Sequence, residues 1–269
     1  MALPSQVNEA LDDFLRDSLQ IVTVAQERRV PLRILGALSC YLQLKKVSQE
    51  AVELYQRLGR MGDGVMFTDL DVMGYRKHRS DIMKVLEKEL HLTPDLRFLQ
   101  IYGGQRLLYY KGNSFSIDVF LDKLEYSHDV DFRNRLELDY PTISLADFVL
   151  EKLQIHQINR KDLVDLVATF LHFDVQDGKG IDSAHISTIL AGDWGFWYDA
   201  TANLGKTVQM GGQLVQEGKL NEGQRDIVEK KVSTLLSSIE GHPKSKDWTK
   251  RSSVGTAKPW YRAVEEVVR

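Results

Sequence analysis

Hydrophobic positions over residues 1–140 alternate between helical and strand-like spacing. Apolar side chains recur at helical spacing over residues 5–27, and this pattern ends before Pro31, where the backbone must leave helical geometry. Further helices are predicted at residues 37–44, 48–58 and 81–90. Short, branched runs typical of strands lie at residues 32–36, 65–73, 96–102, 106–110, 115–121 and 135–139. This part of the chain is therefore predicted to combine strands with helices.

Helical periodicity dominates after Tyr140. Helices are predicted there at residues 145–158, 161–173, 183–190, 194–215 and 222–239, with N-caps at Ser144, Asn159, Asp182 and Asn221. From residue 241 the chain is polar and basic, although its aromatic residues Trp248, Trp260 and Tyr261 indicate that part of it docks. We therefore predict an α+β protein with a core at 1–140, an all-α domain at 141–240 and a basic tail at 241–269.

Charge and composition exclude several classes of protein. The chain has 35 Lys and Arg against 38 Asp and Glu, a formal net charge of −3, so any anionic partner must be met by a local patch. The single cysteine, Cys40, cannot form an intramolecular disulfide. No apolar run reaches the ~20 residues needed to span a bilayer, and residues 1–13 lack the pattern of a signal peptide. We expect a cytoplasmic protein with no membrane partner.

Three carboxylates on two predicted strands form the candidate chemical centre. Asp69 and Asp71 are two residues apart, so both side chains point to one face of their strand. Asp118 lies on a second strand, whose Ile117 and Val119 occupy the opposite face. If the two strands are neighbours, the carboxylates converge and repel one another unless a divalent cation neutralises them. Oxygen ligands of this kind suit Mg²⁺ or Mn²⁺, which take substrate phosphates as further ligands.

Each of these features also has a simpler structural explanation. Asp69 and Asp71 could be solvated carboxylates on an edge strand. Gly36, between a predicted strand and a helix, could form only a tight turn, or it could open a helix whose free N–H groups hold a phosphate. The chain contains no Gly-x-x-x-x-Gly-Lys-Ser/Thr loop and no His-x-x-x-His pair, which argues against P-loop phosphotransfer and against a zinc site.

Three short segments together resemble the minimal nucleotidyltransferase superfamily, which is related to DNA polymerase β. They are residues 34–38 (Ile-Leu-Gly-Ala-Leu), 67–71 (Phe-Thr-Asp-Leu-Asp) and 116–120 (Ser-Ile-Asp-Val-Phe), and they are similar to the family's glycine turn, its Asp-x-Asp/Glu strand and its third carboxylate. Residues 145–166 are similar to the helical part of the abortive-infection branch, the AbiEii-like and MenT-like toxins. Ala37 departs from the family pattern, which has a second Gly or Ser at that position.

The resemblance implies a nucleotidyltransferase core with a mixed sheet flanked by helices. It implies an enzyme that moves a nucleoside monophosphate from an NTP such as ATP to an acceptor hydroxyl and releases pyrophosphate, with Mg²⁺ or Mn²⁺ as cofactor. The implied catalytic and metal-binding residues are Asp69, Asp71 and Asp118, and the implied nucleotide-binding residues are Gly36, Ala37, Lys152, Lys161 and Asp162. The resemblance leaves open whether the acceptor is RNA, a protein or a small molecule. The toxin-like branch implies an antitoxin partner.

Several of these residues keep a second interpretation. Lys152 could be a surface lysine, and Asp162, three residues after the predicted N-cap Asn159, could be a capping carboxylate. Lys161 is equally ambiguous. Four dense aromatic residues fit a core and a domain interface better than base stacking: Trp194, Phe196, Trp197 and Tyr198. For the whole chain, the alternative is a catalytically weak nucleotide-sensing or interaction module on the same fold, which Ala37 favours.

Overall fold

The computed structural model describes residues 4–60 and 66–263 and contains both helices and strands. The helices are α1 (Pro4–Glu27), α2 (Gly36–Val47), α3 (Gln49–Arg57), α4 (Arg79–Lys84), α5 (Leu96–Tyr102), α6 (Leu145–Leu153), α7 (Arg160–His172), α8 (Ser183–Gly192), α9 (Trp194–Gln216), α10 (Glu222–Gly241) and α11 (Lys246–Ser252). The strands are β1 (Leu32–Ile34), β2 (Asp69–Gly74), β3 (Thr93–Pro94), β4 (Arg106–Lys111), β5 (Phe115–Leu121), β6 (Lys123–Glu125), β7 (Asp129–Asp131), β8 (Val175–Gln176) and β9 (Lys179–Asp182). The predicted α+β class is confirmed.

The chain divides into two compact units. Unit 1 comprises residues 1–42, 61–124 and 131–144, and unit 2 comprises residues 43–60, 125–130 and 145–269. The chain therefore leaves unit 1 for the first time within α2, well before the boundary expected at Tyr140. The stretch expected to be a separate basic tail belongs to unit 2.

Unit 1 is built on a mixed five-stranded sheet in the order β1-β2-β5-β4-β3. The β2–β5 pair is parallel, and the other neighbours are antiparallel. Alternation along the strands places Leu70 and Val72 of β2 beside Ile117 and Val119 of β5, and all four side chains are fully buried. One face of the central strand pair is therefore apolar, which leaves the other face for the polar residues that alternate with them.

The segment after Tyr140 completes the β1 edge of the unit 1 sheet. The Ile34 amide donates a hydrogen bond to the Pro141 carbonyl (3.0 Å), and the Ile143 amide donates one to the Ile34 carbonyl (3.1 Å). These bonds give the backbone of β1 partners on both of its sides. For this reason unit 1 extends to Ser144.

Unit 2 is mainly helical, and its helices begin at capping residues that the sequence indicated. Asn159, Asp182 and Asn221 each accept a hydrogen bond from the third backbone N–H that follows them. Asn221 also forms a capping box with Gln224. Buried apolar residues from α6 to α10 form the core: Leu153, Val164, Leu166, Phe170, Ile186, Leu190, Leu204, Leu214, Val228, Val232, Leu235 and Ile239.

The described part of the C-terminal stretch docks through its aromatic residues, as expected. The Trp248 ring of α11 lies 5.2 Å from the Trp197 ring of α9 in an edge-on arrangement. Further along, the backbone oxygen of Trp260 lies 2.4 Å from the point that a Cβ atom on Gly195 would occupy. The chain can approach α9 this closely because residue 195 has no side chain.

Three details of the predicted secondary structure are wrong. Residues 96–102 form α5 and not a strand, because the Asp95 side chain accepts a hydrogen bond from the Phe98 amide and caps a helix after Pro94. No strand occurs at 135–139, where the chain forms turns. The strand predicted at 65–73 starts at Asp69, and residue 65 lies outside the described residues.

The approach of Trp260 to α9 predicts an unusual sensitivity at Gly195. Gly195→Ala should lower the free energy of unfolding by about 1–3 kcal/mol because the added methyl group overlaps a backbone oxygen. Gly205→Ala on the same helix meets no atom within 4 Å and should be neutral or stabilising by up to about 1 kcal/mol. Urea denaturation of both variants measures the difference. Equal stability of Gly195→Ala and the wild type would contradict this packing.

Candidate functional site

Parallel pairing of β2 with β5 places the three predicted carboxylates on one face of the unit 1 sheet. Asp71 lies directly opposite Asp118, and Asp69 lies opposite Ser116. Residues opposite each other on paired strands point to the same face, and residues two apart share a face. Asp69 and Asp71 are half-buried, whereas Asp118 is 0% exposed. The condition for convergence, that the two strands are neighbours, is therefore met.

The predicted glycine turn lies beside this carboxylate face. The Leu35 amide donates a hydrogen bond to the Asp71 carbonyl (2.9 Å), which holds the end of β1 against β2. Gly36 then adopts a φ of +64°, a conformation that other residues rarely take, and opens α2. Ala37 is the second residue of that helix. The first turn of α2, with its backbone N–H groups, therefore starts next to Asp71.

Arg106 is a component of this site that the sequence reasoning missed. Its Nε donates a hydrogen bond to Asp118 Oδ1 at 2.8 Å, and its guanidinium lies over the rings of Phe120 (4.6 Å) and Phe98 (5.5 Å). Leu108 is the residue opposite Asp118, so Arg106 reaches the carboxylate diagonally across the β4–β5 hairpin. The sequence signal was present, since both strands were predicted, but the register that joins the two residues was not.

The carboxylate face offers oxygen donors of the kind that Mg²⁺ takes where it also binds the phosphates of a nucleotide. Among the described residues, no group of three or more His, Cys, Asp and Glu side chains could hold a metal ion. Mg²⁺ in phosphate-transferring sites is commonly held by one or two carboxylates, with phosphate oxygens and waters as the other ligands. Asp69 and Asp71 supply such a pair of oxygen donors. Asp118 accepts a hydrogen bond from Arg106. Asp118 as a third metal ligand stays a prediction.

Lys152 and Asp162, both predicted to bind nucleotide, form a buried ion pair within unit 2. Lys152 is 4% exposed, and its Nζ lies 2.9 Å from Asp162 Oδ1, 3.2 Å from Asp165 Oδ2 and 3.7 Å from Glu151 Oε1. Burial alone would lower the pKa of the Lys152 ammonium, but these carboxylates raise the pKa well above its ordinary value. Burial would likewise raise the pKa of Asp162, but Lys152 holds it below its ordinary value. Both groups therefore stay charged.

The same ion cluster explains why residues 43–60 belong to unit 2. Asp165, fully buried on α7, accepts hydrogen bonds from the Tyr55 hydroxyl (2.6 Å) and from Arg60 Nε (2.9 Å). Tyr55 lies on α3 and Arg60 just beyond it, so α3 is tied to α7 by a charge-assisted network. Lys161, the remaining lysine predicted to bind nucleotide, is exposed on α7. The interpretation of Lys152 as a plain surface lysine is wrong.

A second polar cluster in unit 2 is centred on Asp199, which is 4% exposed on α9. Its carboxylate lies 2.8 Å from His128 Nε2, 3.0 Å from His156 Nδ1 and 3.0 Å from Trp260 Nε1. Burial would raise the pKa of Asp199, but these hydrogen bonds hold it below its ordinary value. The histidines, scattered in the sequence, gave no sign of this arrangement. Trp260 joins His156 in bonding to Asp199 only because the C-terminal stretch docks.

No family model, curated protein or solved structure matches this chain. The resemblance to nucleotidyltransferases therefore stays a prediction that depends on the motifs and on the geometry above. None of the described helices is long and apolar enough to cross a membrane.

The buried position of Lys152 predicts a large effect on stability. Lys152→Ala should destabilise the protein by about 3–5 kcal/mol, because it leaves Asp162 and Asp165 buried without their ammonium partner. Lys161→Ala, on the exposed face of α7, should change the free energy of unfolding by no more than about 0.5 kcal/mol. Chemical denaturation at pH 7 measures both. A Lys152→Ala protein as stable as Lys161→Ala would show that the cluster does not hold α6 to α7.

Proposed function

We propose that the protein is a metal-dependent nucleotidyltransferase that moves a nucleoside monophosphate from an NTP to an acceptor hydroxyl and releases pyrophosphate. The observation that carries the proposal is the parallel register of β2 and β5. It puts Asp69, Asp71 and Asp118 on one face of a mixed sheet, beside a glycine turn that opens a helix. Three separate motifs that resemble one family thus lie together within unit 1.

Asp69 and Asp71 are the residues that would hold Mg²⁺. When bound, the ion supplies neutralisation of the triphosphate charge and polarisation of the reacting phosphate. Their half-buried position supports this role, because a ligand can reach them while the face behind them is fully apolar. Each carboxylate would orient the triphosphate indirectly, because it would fix the position of the ion that compensates the triphosphate charge.

The first turn of α2 would bind a phosphate of the nucleotide. Backbone N–H groups at a helix start have no partner within the helix, and they favour an anion. Gly36, at positive φ, allows the chain to turn from β1 directly into this helix. Ala37 offers a backbone N–H but no hydroxyl, so this contact would be made by the main chain alone.

Asp118 would act on the acceptor. In the transfer, the acceptor oxygen bonds to the α-phosphorus while the bond from that phosphorus to the oxygen of the departing pyrophosphate breaks. The proton of the acceptor hydroxyl would pass to the Asp118 carboxylate, which must be positioned for it. Arg106 fixes that carboxylate through its hydrogen bond, and its guanidinium packs over the rings of Phe98 and Phe120. Arg106 would therefore be a positioning residue.

A second candidate function is a nucleotide-sensing or interaction module on the same fold. One observation favours it: the carboxylate that would receive the proton is already engaged by Arg106 at 2.8 Å. Such a module would bind NTP and gain thermal stability from it without releasing pyrophosphate. The two functions therefore differ in whether pyrophosphate is released, which can be measured.

Other features of the proposal depend on the resemblance alone. They are the acceptor, for which RNA, a protein and a small molecule stay open, a toxin-like role with an antitoxin partner, and a cytoplasmic location. Radiolabelled NTPs incubated with total cellular RNA and protein would identify the acceptor from the fraction that takes up the label.

Removal of either metal-binding carboxylate should abolish activity. In an assay for pyrophosphate release with NTP and Mg²⁺, Asp69→Asn and Asp71→Asn should each lower the rate about 100-fold or more, because each deletes a ligand and a negative charge. Both should also lose Mn²⁺ binding in calorimetry. Asp81→Asn is the control, because the Asp81 side chain on α4 is 49% exposed and pairs with Lys84. It should keep both properties. Unchanged Mn²⁺ affinity in both site variants would exclude the metal site.

Asp118→Asn separates catalysis from binding. It should bind NTP in the presence of Mg²⁺ but lose transfer, because the amide cannot take the acceptor proton. Near-normal transfer in Asp118→Asn would remove Asp118 from the mechanism. A wild-type protein that binds NTP with no pyrophosphate release, tested with cellular RNA and protein as acceptors, would favour the sensing module.

A further inference from the structure

Unit 2 contains a pocket that the proposed nucleotidyl transfer does not use. Its volume is about 520 Å³, within the range of sites that bind small molecules. The pocket lies beside the Asp199 cluster, and its walls come from the stretch around β6–β7, the end of α6 and the docked C-terminal segment. The lining residues are Tyr126, Ser127, Ile155, His156, Gln157, Asn159, and Tyr261 to Ala263.

Asp199 fixes the imidazole of His156, which lines this pocket. A carboxylate only accepts hydrogen bonds, so the bond of 3.0 Å assigns a proton to His156 Nδ1. The backbone of His156 is also fixed, because its amide donates to Ser127 Oγ at 3.1 Å. The imidazole and the backbone of His156 are therefore both held in place in the lining of the pocket.

Arg262, another lining residue, is also held in place. Its backbone amide donates to the Ser127 carbonyl (3.0 Å), its Nε donates to the Tyr126 carbonyl (2.8 Å), and its Nη2 contacts Asp129. A guanidinium has five N–H donors in a planar fork, so these contacts orient the group and leave it donors for a ligand. The Arg262 side chain is 52% exposed, which keeps it accessible from solvent.

The lining also offers flat apolar surface. The Tyr261 ring stacks on the His156 ring at 3.5 Å between centroids, and Trp260 packs edge-on against both rings. Tyr126 and Ile155 line the pocket with them. None of the lining residues in this described part of the chain is Asp or Glu. Asp129 and Asp199, the carboxylates that hold Arg262 and His156, do not line the pocket. A cavity with aromatic surface and one guanidinium therefore suits an aromatic ring joined to an anionic group.

We propose that this pocket binds a small molecule in which a planar aromatic ring is joined to an anionic group, the chemistry of a nucleoside monophosphate. The aromatic ring packs against Tyr126 and Tyr261, and the anion accepts hydrogen bonds from Arg262. The site needs no metal ion and uses no residue of unit 1. It is therefore independent of the proposed transferase activity.

AMP in buffer containing EDTA is the probe, because chelation removes any metal-dependent binding by the carboxylate face. Titration should quench or shift the tryptophan fluorescence, since Trp260 contacts both His156 and Tyr261, and calorimetry should give a saturable site. Adenosine tests the ring alone and inorganic phosphate tests the anion alone. Each should bind at least about 10-fold more weakly than AMP, because it lacks one of the two contacts.

Variants assign the binding to this pocket. Arg262→Gln should weaken AMP about 10-fold or more through loss of a charged hydrogen bond, and Tyr261→Leu should weaken it through loss of the stacking surface. Arg225→Gln is the matched control, because Arg225 pairs with Glu222 and Asp226 on α10 and does not line the pocket. Circular dichroism checks that each variant is folded.

Three outcomes would overturn the proposal. One is the absence of saturable AMP binding at millimolar concentration, and another is equal AMP affinity in the Arg262→Gln, Tyr261→Leu and Arg225→Gln proteins. The third is loss of AMP binding in Asp69→Asn, which would place AMP at the carboxylate face. Retained AMP binding in Asp69→Asn, together with lost pyrophosphate release, would support the pocket and the transferase separately.

Discussion

The parallel pairing of β2 with β5 is the constraint on which the candidate site depends. Because side chains alternate along a strand, this register commits Leu70, Val72 and their partners on β5 to the buried face and the three carboxylates to the other face. A slip by one residue would bury Asp69 and Asp71 in the core. The apolar face thus fixes the position of the charged face. The same strand register therefore stabilises the sheet and sets the geometry of the candidate site.

The two units handle buried charge in a common way, by holding each carboxylate against a cation or a donor from a different element. In unit 1, Arg106 on β4 neutralises Asp118 on β5. In unit 2, Lys152 on α6 and Arg60 after α3 surround the carboxylates of α7. Such pairs are costly to break, since removal of one partner leaves a buried charge. They explain how a short segment, residues 43–60, becomes part of a unit that is otherwise formed much later in the chain.

Local patterns in the sequence were sufficient to predict most helices, the strands β4 and β5, and the caps at Asn159 and Asn221. Spacing and capping chemistry act over only a few residues. The patterns failed at residues 96–102, where branched and aromatic residues favour a strand but the Asp95 cap and the surrounding fold impose a helix. Local patterns could not predict contacts between residues that are distant in the sequence. The hydrogen bond between Arg106 and Asp118 depends on the register of β4 and β5. The contact between His156 and Trp260 depends on the docking of the C-terminal stretch. Neither contact could be predicted from residue spacing.

The most direct test of the account is the position of a bound metal ion. Crystals of the protein grown with Mn²⁺ and a non-hydrolysable NTP analogue would show that position by anomalous scattering. The account predicts an anomalous peak coordinated by Asp69 and Asp71, with the triphosphate reaching from that ion to the first turn of α2. A peak with no contact to either carboxylate, or a triphosphate bound away from the β2–β5 face, would contradict it.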